Sequence, residues 1–107
     1  MKELPKAARR LIREWCATAY ERELNAELGK LHELFHQWEA SALSPFDLSD
    51  AIHRFHDGPA RQLYGAYVMS RGDEDWLVAG ALARGILTRE ELPAQVLESI
   101  NAKAQSF

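Results

Sequence analysis

The chain has little of what small folds often lean on. It has one cysteine, Cys16, so no intramolecular disulfide and no cysteine-based zinc site can form. That fits a reducing compartment. No segment alternates apolar and polar residues at period two, and no Asn-Gly or Gly-Gly pair separates two strand-like runs, so no sheet is expected. No apolar run approaches the ~20 residues of a membrane span, and the opening Met-Lys-Glu-Leu-Pro lacks the apolar core of a secretory signal. The expected setting is the cytoplasm, with no membrane partner. Positive charge is not in excess either. Thirteen Lys and Arg against sixteen Asp and Glu leave a net charge of −3, which argues against nucleic acid as a partner.

What is present is helical periodicity. With 107 residues, 47% of them apolar, the chain is long enough for one real core and too short for two. Leu24, Leu28, Leu31, Phe35, Trp38 and Ala42 recur at spacings of four and three, one face of a helix and an expected core face. Leu4, Ala8, Leu11, Ile12, Trp15, Cys16 and Ala19 form a second stripe upstream, after a Pro5 that suits a first helical turn. The prediction is an all-α helical bundle, a single domain over 1–107. Its first helix spans residues 5–42 and packs against shorter helices near 45–56, 59–70, 73–84 and 89–104. Gly29 is the one weak residue in the long helix, either a close-packing point or the site of a bend.

Boundary residues support these spans. Ser44-Pro45-Phe46-Asp47 reads as an N-cap followed by an acid in the first turn. Asp57-Gly58-Pro59 predicts a kink or short break, because proline lacks a donor and restricts its predecessor. Asp73, Glu74 and Asp75 place three acids in a first turn, where the helix dipole favours them. Gly85 suits a left-handed C-terminal cap. Thr88 and Glu91 read as a capping box flanked by Leu87 and Leu92. Trp38 and Trp76 both fall where the pattern points inward, and both are expected in the core.

One motif invites a chemical reading. His32-Glu33-Leu34-Phe35-His36 matches the H-E-x-x-H pattern of zinc hydrolases, in which two histidines one turn apart hold the metal and the glutamate activates water. A metzincin extension requires Gly and His where this chain has Glu39 and Ala42. On a wheel at about 100° per residue, His32 lies about 80° and His36 about 120° from the apolar stripe, so both point sideways or outward. His53 and His56 form a second pair, and antiparallel packing of the first two helices would bring all four histidines of the chain together. A surface network of His53, Asp57 and Arg61 is an alternative use of the same segment. No Gly-x-Ser-x-Gly turn is present, and Cys16 sits on an apolar face, so a nucleophilic triad has no support.

The segment Ile52-His53-Arg54-Phe55-His56-Asp57-Gly58-Pro59-Ala60-Arg61-Gln62-Leu63-Tyr64 resembles a small bacterial family of helical proteins to which no activity is attached. The resemblance runs from the first helix to Leu92-Pro93 and implies a helical domain without assigning any residue a role. Together these features predict a non-enzymatic protein-interaction or self-associating domain without a cofactor. The alternative is a zinc-binding domain or metallohydrolase built on His32, His36, His53 and His56. A helix over 5–42 would be about 55 Å long, against roughly 34 Å for a compact globule of this size. The expected overhang is its N-terminal end, where Leu4, Leu11, Ile12 and Trp15 would pair with a second copy in a homodimer or with another protein.

Overall fold

The computed structural model describes residues 6–69 and 73–104, with side chains to Ile100. Every regular element among them is helical: α1 (Lys6–Glu39), α2 (Pro45–Phe55), α3 (Arg61–Tyr64), α4 (Glu74–Ala83) and α5 (Ala94–Ala104). The all-α expectation, with a long first helix against shorter ones, holds. No described helix is long and apolar enough to cross a membrane.

α1 runs unbroken through Gly29, whose missing side chain faces open space, so Gly29 is not a close-packing point. The helix stops three residues before the expected Ala42. There Ser41 adopts φ 60°, the Ala42 amide donates to the Gln37 carbonyl at 2.8 Å and the Ser41 amide to the Trp38 carbonyl at 3.0 Å. That is a Schellman cap built on serine, which costs more in the left-handed region than glycine does. The Ser44 hydroxyl then accepts from the Asp47 amide at 3.0 Å and starts α2, with Pro45 in the first turn.

Of the kink or short break expected at Pro59, the break does not occur, although the α-helical ladder does end at Phe55. Two wide π turns, His56–Ala60 and Gly65–Met69, flank α3 instead, and the backbone stays right-handed helical at Phe55, His56, Ala60, Arg61 and Gly65. Proline inside an α-helix has no amide hydrogen, and its ring collides with the carbonyl four residues back. Widening the ladder by one residue relieves both problems without ending the helix. Residues 45–69 are therefore one rod lying along the second half of α1, not two helices separated by a break.

α4 closes as expected: Gly85 has φ 79°, and the Ile86 amide donates to the Ala81 carbonyl at 2.9 Å. α5 begins at Ala94 rather than at residue 89. Glu91 does reach back to the Thr88 amide at 2.8 Å, but the box it forms holds a turn, and Pro93 supplies the carbonyl that receives the Val96 and Leu97 amides. Proline at position 93 has no amide to continue a helix started earlier with full hydrogen bonding.

The core lies at the N-terminal end of α1. Ile12, Cys16 and Ala19 pack with Val78, Ala79 and Ala81 of α4, Leu87 and Leu92 of the connecting turn, and Val96 and Ile100 of α5. Small side chains on both sides of the α1–α4 contact let the two backbones approach, and Gly80 is buried among them. Leu11 and Trp15 pack against this cluster from its edge.

The two tryptophans are a correction, for both are substantially exposed. In α4, Val78, Ala79, Gly80 and Ala81 are buried almost all the way round. Trp76 and Ala83, seven residues apart, share the one face left open. A helix apolar on every side carries no direction in its sequence, so the wheel could not say which residue would face out. Trp38 lies at the opposite end of the molecule, where only α2 is available to cover it.

Candidate interaction surface

The molecule measures 57 × 27 × 24 Å with a radius of gyration of 17.4 Å, against about 13 Å for a compact chain of this length. The elongation follows from α1. The core residues of its first half pack on α4 and α5, and its second half lies along the rod of residues 45–69. The overhanging end is thus the C-terminal half of α1, not the N-terminal one. Ile12 is 3% exposed inside the core and Leu11 and Trp15 lean on it, so these residues are spent within the chain. Leu4 lies outside the described residues.

A polar junction marks the boundary between the two ends. Tyr20 of α1 stacks on Tyr67 of the second π turn with ring centres 5.1 Å apart. The Tyr67 hydroxyl bonds to the Glu23 carboxylate, which also receives the Arg84 guanidinium at 3.2 Å. Burial, and then that carboxylate, push the Tyr67 phenol well above its usual range. On the adjacent residue of α1, Arg22 grips Glu91 through two bonds of 2.7 and 2.8 Å and donates to the Ile86 carbonyl at 2.9 Å. This pairing, with the Thr88 amide second, lowers the Glu91 carboxyl to about 2. The partners stand 44, 61 and 69 residues apart in the chain, and no local spacing announces them.

Beyond the junction lies a two-helix hairpin. Leu48 and Ala51 of α2 are buried against α1, but the hairpin has only two layers and cannot close round its apolar residues. An open groove of about 600 Å³ runs along one side, lined by Tyr20, Leu24 and Leu28 of α1 and by Phe55, His56, Ala60, Arg61 and Tyr64 of the rod. Leu28 is 42% exposed and Tyr64 50%. Ile52, one turn before His56 and so on the same side of α2, is also exposed. Phe46 at the start of α2 is 81% exposed, and Trp38 meets Phe35 edge to face at the same end. Sequence reasoning had placed this stripe in the core.

The candidate metal ligands are not brought together. His32, His36, His53 and His56 are all exposed, and among the described residues no three of His, Cys, Asp and Glu lie close enough to hold one ion. His32 and His36 stand exposed on α1, while His56 lines the groove. Among the described residues neither histidine pair has a third ligand beside it. No side-chain hydrogen bond or ion pair joins His53, Asp57 and Arg61 among the described residues either. Cys16 is buried, and desolvation together with the nearby Glu74 charge raises its thiol to about 11. A thiol held protonated in this way is no nucleophile at neutral pH.

Comparison with family models, curated proteins and solved structures finds no match, so the resemblance over residues 52–64 has no family model behind it.

Proposed function

We propose that this chain is a non-enzymatic protein-interaction domain that docks through its distal hairpin, with no metal and no cofactor in the role. The carrying observation is the row Leu24, Leu28, Ile52 and Tyr64 beside an open groove, on a part of the molecule that the core does not need. Soluble proteins rarely leave a contiguous apolar row bare unless something covers it. The cytoplasm is the setting we propose, since it keeps the single buried thiol reduced.

A photoreactive benzoylphenylalanine at position 28, compared with one at the exposed Arg10 on the opposite half of α1, tests the reading in producing cells. Discrete cross-linked adducts should form from position 28 and not from position 10. Equal yields from the two positions, or none from position 28, would overturn it.

A further inference from the structure

We infer that the occupant of this face is a second copy of the chain, and that two distal hairpins close into an antiparallel four-helix bundle in which Arg61 of each copy meets Glu39 of the other. The inference rests on the interaction reading above and names its partner.

The first support is the number of layers. At the proximal end, three helices enclose a core; at the distal end, α2 packs on α1 and, outside its own rod, on no other element to a comparable extent. Two helices in contact leave each apolar stripe half open, and a second hairpin supplies the two missing walls. An identical hairpin fits because its stripe has the same length and spacing. A two-fold axis through the middle of the stripe sets Leu24 and Leu28 of one copy against the Leu31–Phe35 stretch of the other, and the reverse, the self-complementary geometry of most homodimers.

Charge gives the pairing a direction. Arg61 borders the groove at its Leu24 end. Glu39 stands at the other end of the same stripe, four residues beyond Phe35 and therefore one turn further along that face. Neither takes part in an ion pair among the described residues. A parallel pairing would set each group against its own copy, like charge on like. An antiparallel one sets Arg61 against Glu39 twice, once at each end, which favours that register.

The dimensions suit a dimer of ordinary size. From Tyr20 to Glu39 is about 30 Å at 1.5 Å per residue, and two helices side by side are about 20 Å wide, so the two footprints total about 1,200 Å². That is the lower edge of the range for specific complexes, consistent with a reversible dimer.

The test is light scattering after size exclusion, combined with charge exchange. Wild type should run as a dimer, and Leu28→Glu with Ile52→Glu as a monomer of unchanged helix content. Arg61→Glu and Glu39→Arg should each weaken dimerisation about tenfold, and the two together should restore it. Those reversals lie at exposed positions, so the test stands even where the apolar double variant fails to fold. A wild-type monomer up to about 1 mM, an affinity limit below which no specific complex is claimed, would overturn the inference. So would a dimer indifferent to Leu28 and Ile52, or a double reversal no better than the single ones. The interaction reading separates from this one by mass: adducts from position 28 that are not twice the chain mass sink the second-copy inference and leave the reading standing, whereas no adducts sink both.

Discussion

The two halves of α1 have nearly the same length and opposite fates. Ala8, Ile12, Cys16 and Ala19 are almost wholly buried; Leu28 and Trp38, at least as large as any of them, are more than 40% exposed. At about 100° per residue, the buried set of the first half and the Leu24–Trp38 stripe of the second lie about 120° apart around the helix. One straight helix therefore offers apolar surface in two directions, and α4 and α5 answer only one of them. Burial here depends on how many helices surround a position, not on how hydrophobic its side chain is.

Truncations at the two ends should reproduce that contrast. Leu87, 1% exposed in the core, should cost about 3 kcal/mol as Leu87→Ala, since a filled position becomes a cavity. Trp38→Ala, at a site already 44% exposed in the chain, should cost about 1 kcal/mol, because only part of the indole's contact surface is lost. Urea unfolding at low protein concentration measures both free of any assembly. Equal losses would abolish the distinction between the ends.

The junction that separates the halves should reveal itself through acid. Glu91 is held near 2 instead of its ordinary 4.5 by Arg22 first and the Thr88 amide second. A carboxyl depressed in the folded state contributes stability that is complete above the unfolded value and lost as pH falls through the folded one. Stability should thus fall between about 4.5 and about 2, and Glu91→Gln should flatten that part of the curve. A profile unchanged by Glu91→Gln would remove the pair from the account.

The smallest effects concern the distal half, where two local choices are poor. Gly29 lies inside a helix with nothing within 4 Å of where a Cβ would stand, so Gly29→Ala should stabilise by about 0.5–1 kcal/mol. Ser41 holds φ 60° at the helix end, and Ser41→Gly should gain a similar amount of about 0.5–1 kcal/mol. Thermal melts that fall for either variant would mean that these positions make contacts beyond their backbone geometry.

Much of the fold could be read from local pattern. Ser44, Gly85 and the first long helix behaved as their residue types require, because caps and turns are satisfied within a few residues. Ser41 escaped notice because serine does not advertise a left-handed backbone, and the π turns did because a proline can be absorbed as well as obeyed. The apolar stripe of the candidate surface was visible as Leu24, Leu28, Leu31, Phe35 and Trp38, but periodicity marks a face without saying what lies against it. Arg61 was legible only as a neighbour of His53 and Asp57, and its place with Tyr64 beside that stripe was not, since the groove is made by two segments distant in the chain.

Composition and spacing alone thus determined that the chain is helical, that its first helix is long, and that two apolar stripes run along it, for helix formation and capping are local events. Only the tertiary structure decided which stripe became core. That choice depends on where α4 and α5 return, and they return to the small-residue face of Ala8, Cys16 and Ala19, where backbones can approach closely. The histidines follow the same logic: two share a helix by spacing, but convergence of four needs positions that no local pattern dictates, and this fold keeps them apart.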